Sequence, residues 1–282
     1  MSAATKAPDR ERRVHLGILR DELRGKSYER FFRWEMDPLP EHIEQVLEEG
    51  PSNPADALPR AEVNRLLAPG YLPFENGFAR LDDGTVHVAV LTQFPGATAE
   101  MIDWWFAWHG DETERYKLWH PQAHLYTEWR EQRHGQDLTY RQKYVGNTSF
   151  VDEYVGPSIQ RLAIQFREPR EFGFDESSFE EARIGTAVCA RTGFSDRPVD
   201  AGYLIHLIRE TNEGCEMRSR FWIGEVHLRA LPDENVIDGL LNRRALRNRI
   251  LPSRVARDLF IHCAEEMNHL ASFLPQLFAQ ER

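Results

Sequence analysis

The sequence predicts an α+β fold, in which a curved antiparallel sheet wraps one long C-terminal helix and a helical arm precedes both. Three observations predict it. Residues 251–278 repeat apolar side chains at three- and four-residue steps (Val255, Leu259, Cys263, Met267, Leu270, Leu274, Leu277), the pattern of a helix with one buried face. Between residues 78 and 228, several runs of alternating character are separated by short turn sequences, and strands so joined pair antiparallel. The first quarter holds short leucine and isoleucine stripes with prolines between them, and no such run.

In order, residues 1–12 are polar and charged and are expected to be a loosely attached tail. Residues 15–49 are expected to be helical, with Leu16, Leu19 and Leu23 on one face. Ile43, Val46 and Leu47 form a second stripe after Pro38 and Pro40. Three prolines make residues 51–60 a linker, and a short helix follows over 61–67. This arm is bounded at 1–76 and the main domain at 77–282. Residues 78–81 and 85–94 flank Asp82, Asp83 and Gly84 as a hairpin, with Val86, Val88 and Val90 facing one side. Thr98 is placed to cap a helix that carries Trp104, Trp105 and Trp108 toward the core and ends at Gly110. Pro121 stands between His120 and His124 and disfavours one helix through both. From Gln136 to Asp152 the pattern is extended, ending in FVDEYVG with Glu153 near a strand end. RLAIQF, ARIGTAVCAR, GYLIHLIRE and MRSRFWIGEVHLR continue the sheet. The last two flank a turn at 212–214, and His206 shares a face with Leu204 and Ile208. Pro252 suits the first turn of the final helix. A sheet curled around that helix leaves a cavity suited to a small apolar ligand.

Acidic residues outnumber basic ones by 45 to 35, which excludes a broad phosphate-binding face and hence a nucleic-acid partner. No apolar run approaches the roughly 18 residues needed to span a membrane. The polar N-terminus has no secretory character, and Cys189, Cys215 and Cys263 are widely spaced, as expected of reduced thiols in a cytoplasmic protein. A homodimer is compatible with the sequence.

One constellation carries chemistry. His262 and Glu266 lie one turn apart beside the apolar stripe of the final helix. A carboxylate there needs a partner, and a metal ion is one. A catalytic zinc takes nitrogen and oxygen ligands and keeps one position open. The WHPQAH segment offers His120 or His124, and FVDEYVG offers Glu153. Against this stands the commoner fate of a His–Glu pair on a helix, a solvated salt bridge. Glu265 and His269 repeat the spacing but point away from the stripe, and are expected at the surface. Cys263 is expected to be a small buried filler.

The segments DWWFAWHGDETERYKLWHPQAH and HCAEEMNHLASFLPQL resemble the 2,4-diacetylphloroglucinol hydrolases and the related phloretin hydrolases, from about Ala61 onward. The resemblance implies a helix-grip fold like that of Bet v 1 and START proteins. It also implies zinc-dependent cleavage of the carbon–carbon bond between an acyl group and a polyhydroxylated ring. Carried over by motif, the zinc ligands are His124, Glu153, His262 and Glu266. Tyr116, eight residues before His124, is implied as a substrate contact, His206 as the pocket histidine, and Thr127 stands where an asparagine is the family's substrate contact. Tyr116 and His206 are the implied proton donors, and the expected ligand is a small aromatic acyl-phenol. The rival reading is a carrier of small apolar ligands on the same scaffold.

Overall fold

The computed structural model describes residues 15–19, 21–232 and 235–282, so the expected tail lies outside the described residues. The sheet consists of β1 (Gly77–Arg80), β2 (Val86–Pro95), β3 (His124–Trp129), β4 (Thr148–Val155), β5 (Ser158–Arg167), β6 (Ile184–Phe194), β7 (Val199–Glu210) and β8 (Gly214–Leu228). Its order is β1-β2-β8-β7-β6-β5-β4-β3. Each strand pairs antiparallel with its neighbours in this order. The helices are α1 (Glu41–Glu49), α2 (Ala99–Trp108), α3 (Thr113–Trp119), α4 (Tyr140–Tyr144), α5 (Val236–Leu241), α6 (Arg244–Ile250) and α7 (Arg254–Glu281). This is the expected α+β helix-grip arrangement, in which one long helix fills the hollow of one curved sheet.

The hairpins follow from their turns. Gly84 has φ +87°, Asp83 caps the Thr85 N–H at 2.9 Å, and β1 thereby folds back on β2. In β8, Met217, Ser219 and Phe221 alternate with Arg218, Arg220 and Trp222, so the two sets face opposite sides of the sheet. The first set, with Val86, Val88 and Val90, meets Phe260, Met267, Leu270 and Leu274 of α7 in one continuous core. Trp104, Trp105 and Trp108 lie in that core as expected. Thr98 caps α2, accepting from the Met101 N–H.

The second set faces the segment ahead of β1. Trp222 Nε1 donates to the Leu58 carbonyl at 2.8 Å, and Glu75 takes both Arg218 and Arg220 as partners. The proline-rich stretch is therefore laid down on the convex face.

Four expectations are corrected. Residues 16–19 and 21–32 are bends, turns and irregular backbone with one 3-10 turn at Glu29–Phe31, because Gly17 and Gly25 take φ of +67° and +79°, which a helix excludes. Leu16 and Leu19 accordingly stay exposed, and only Leu23 is buried. The extended stretch after Gln136 contains α4, nucleated by a capping box in which Thr139 and Gln142 satisfy each other's backbone N–H. Pro252 stands just ahead of α7, and α2 stops at Trp108, before Gly110. No helix among the described residues is long and apolar enough to cross a membrane.

Candidate metal centre and its cavity

Three elements bring four side chains together. Pro121 ends the run from α3, and the His120 carbonyl accepts from the N–H groups of Ala123 and His124 at 3.1 and 2.8 Å. That turn makes His124 the first residue of β3, directly opposite Glu153 of β4. From across the hollow, α7 presents His262 and Glu266 one turn apart.

The tautomer of His124 is set by its surroundings. Nδ1 donates to the Tyr116 carbonyl at 2.9 Å, so Nε2 carries a bare lone pair. Nε2 is buried with no hydrogen-bond partner and lies 3.5 Å from Glu266 Oε2 and 3.8 Å from Glu153 Oε2. His262 Nε2 stands 3.7 Å from Glu266 Oε2 and 3.8 Å from Glu153 Oε1. A lone pair aimed at carboxylates is repulsive, and a cation between them turns the same geometry attractive. His124, His262 and Glu266 offer donor atoms within 4.8 Å of one another, close enough to share one ion. Burial pushes the Glu266 carboxyl well up and that of Glu153 up to about 7, and pushes both imidazoles well down. Alone, the pocket stabilises charge poorly. Two carboxylates balance one divalent ion, so the donor set fits such a group.

Tyr116 supports the cluster, since its hydroxyl donates to Glu153 and its ring stacks on His124 at 3.8 Å and 6°. The rival histidine, His120, is buried but turned to a different carboxylate: Nε2 meets Glu265 Oε2 at 3.2 Å while its ring stacks on His262 at 5.1 Å. His269 is buried, which corrects the surface expectation. The arm covers that side of α7, where Phe31 packs near Phe273 and Arg33 donates to Ser272 at 2.8 Å. Cys263 is fully buried beside His262; burial pushes its thiol well up, so it holds no nucleophilic thiolate.

A cavity of about 370 Å³ opens beside the cluster, lined by Tyr116, Glu153, His262 and Glu266 among others. His206 lines it too, with Nδ1 at 2.8 Å from Ser219 Oγ, and burial pushes the imidazole down to about 3, so it is neutral at physiological pH. Thr127 stands one step behind the wall: its hydroxyl meets Ser149 Oγ at 3.1 Å, and Ser149 lines the cavity. Sequence reasoning missed Ser149 and His109. His109 also lines the cavity; its Nδ1 donates to the Trp105 carbonyl at 2.7 Å, leaving Nε2 for a ligand. The signal for His109 was its place one turn after Trp105 on a helix that faces the core.

The profile of the family described as the DAPG hydrolase PhiG domain matches residues 58–279. The chain belongs to the DAPG hydrolase family. Among its relatives, the 2,4-diacetylphloroglucinol hydrolase of Pseudomonas protegens is 33% identical over 264 residues, covering 92% of this chain and 85% of that protein. The phloretin hydrolase of Eubacterium ramulus is 31% identical over 273 residues, covering 95% of each. Those spans reach beyond the family profile into the segment ahead of residue 58. The crystal structure of Ara h 8.0201 superposes on 68% of this chain and 99% of its own length at 10% identity, with a TM-score of 0.39. The strand order and the long helix, rather than that likeness, define the fold.

Proposed function

We propose that the chain is a zinc-dependent hydrolase that cleaves the carbon–carbon bond between an acyl group and a polyhydroxylated aromatic ring. Family membership supports the reaction class. The observation that carries the reading is the buried, unpartnered Nε2 of His124 facing two carboxylates. In this reading His124, Glu153, His262 and Glu266 hold the ion, within a catalytic domain over 77–282 that follows the arm 1–76. Zinc bound there supplies Lewis acidity toward the acyl oxygen and toward water.

The reaction adds water across the bond. Water oxygen bonds to the acyl carbon, the ring–acyl bond breaks, and its electron pair passes to the ring carbon, which takes a proton. The products are a carboxylic acid and the phenol. Hydroxyls ortho and para to the acyl group make this leaving group accessible, because the ring accepts that proton at carbon as a keto tautomer. Tyr116 is kept as a phenol by burial and by Glu153, so it serves as a hydrogen-bond and proton donor at the metal end. His206, neutral in its apolar setting, binds a ring hydroxyl or carries a proton through its ring N–H. Thr127 acts through Ser149, holding that hydroxyl toward the ring.

The test is incubation of the purified protein with acylphloroglucinols, following carboxylic acid release before and after chelation. Acid release that is lost on chelation and restored by zinc is the expected result. A metal-free protein that binds the compounds unchanged would instead mark a carrier.

A further inference from the structure

The segment between β8 and α7 is held by its polar side chains. In α5 only Asp238 is buried. Its carboxylate accepts from the Leu228 N–H at 3.0 Å and the Asn235 amide at 2.7 Å, and meets His227 Nδ1 at 2.6 Å. In α6 only Arg247 is buried, donating to the Gly224 carbonyl at 2.8 Å and to Asp83 at 2.6 Å. A surface helix ordinarily turns its apolar side to the core. Here two polar pegs hold both helices, and Val236, Ile237, Leu240 and Ile250 are left 80, 48, 46 and 48% exposed. Four of the nine large apolar side chains exposed among the described residues therefore fall between residues 236 and 250, which is a gathering and not the ordinary scatter.

Charge marks the same segment. Residues 229–257 hold seven arginines against three acidic residues, a balance of +4 within a chain of −10. Arg243, Arg244, Arg249 and Arg257 are exposed and make no ion pair among the described residues. The segment also reaches the cavity mouth: Ile250, Pro252 and Arg254 line the cavity and are exposed as well.

We propose that the α5–α6 face docks on an anionic lipid surface, with the cavity mouth turned toward the bilayer. Such a surface offers anionic headgroups to the unpaired arginines and, just beneath them, an apolar layer to Val236, Ile237 and Leu240. Nucleic acid answers the charge but gives those three side chains nowhere to go. A second copy docked through this face about a two-fold axis sets like charge on like charge. Docked on lipid, the cavity takes apolar ligands from the layer in which they concentrate. This holds for a hydrolase and for a carrier alike, because the docking is read as binding and not as turnover.

The experiment mixes the full chain with vesicles of phosphatidylcholine alone, and of phosphatidylcholine with about one-third phosphatidylglycerol, and reads bound protein by co-sedimentation. The expected result is binding to the anionic vesicles only, weakened by added salt. An arginine near such a surface contributes about fivefold, so Arg244→Gln with Arg249→Gln is expected to weaken binding about 25-fold. Val236→Ser with Ile237→Ser is expected to weaken it about tenfold. Both pairs lie outside the cavity, and thermal unfolding is expected to be unchanged; if one pair fails to fold, the other decides. No binding, equal binding to both kinds of vesicle, or folded variants that bind as tightly as the wild type overturns the assignment. Self-association in solution that the serine pair abolishes gives the face to a second copy and overturns it too.

Discussion

At the scale of single residues, the candidate centre depends on small backbone facts. His124 is placed by a proline three positions earlier and has its tautomer set by one carbonyl, so it offers Nε2 without having to choose. His124→Ala and Glu266→Gln are expected to lose bound metal and hydrolysis together, as measured by metal analysis and acid release on the same sample. Tyr116→Phe keeps the ring stacked on His124 but removes the hydroxyl that donates to Glu153; metal affinity is expected to fall about 10–100-fold. His206→Ala is expected to retain metal and lose turnover, and unchanged turnover would leave His206 a core residue. The spacing of His262 and Glu266 was legible in the sequence, and so was the break that Pro121 imposes. The role of His269 was not, because its environment is built by Arg33 and Asp37, far away in sequence; that of His109 was not, because it depends on how the turn after α2 folds Tyr116 and Trp119 of α3 back around it.

At the scale of elements, α7 does two things with one surface. Its apolar stripe fills the sheet, and the adjacent line 254–258–262–266 faces the cavity. These functions separate experimentally. Leu274→Ala removes a fully buried side chain away from the cavity and is expected to cost about 2–5 kcal/mol of stability, read by denaturant unfolding, with the metal content of the folded protein unchanged. Strands were legible because alternation over many residues is a strong signal. The short α4 was not, although its Thr139–Gln142 spacing carried the capping signature, because five helical residues hold too little periodicity. The stretch 16–32 misled for the opposite reason: its leucines keep helical spacing while Gly17 and Gly25 turn the backbone away.

At the scale of the whole molecule, the sheet is held from both sides, and the convex side relies on charge. Glu75 lies between Arg218 and Arg220, all three buried. Burial pushes the Glu75 carboxyl up, but the two guanidinium groups outweigh it and hold it below the ordinary carboxylate range. A carboxyl depressed in the folded state stabilises fully above its unfolded value, and that contribution is lost as pH falls through the lower folded value. Thermal unfolding followed from neutral pH downward is therefore expected to show wild-type stability falling below about pH 4. Glu75→Gln leaves two buried arginines unpaired and is expected to cost about 3–5 kcal/mol at neutral pH, with a flatter acid limb. Alternation announced the sheet, but it did not announce this arrangement, because a strand that alternates arginine with phenylalanine looks solvent-facing until the segment ahead of β1 is laid over it.

The central claim is that four side chains distant in sequence share one divalent ion. Anomalous diffraction at the zinc absorption edge, on crystals grown with stoichiometric zinc, tests it directly. The account predicts one strong peak per chain, within coordination distance of His124, Glu153, His262 and Glu266. A peak bound elsewhere, or none at that cluster in zinc-replete crystals, would contradict it.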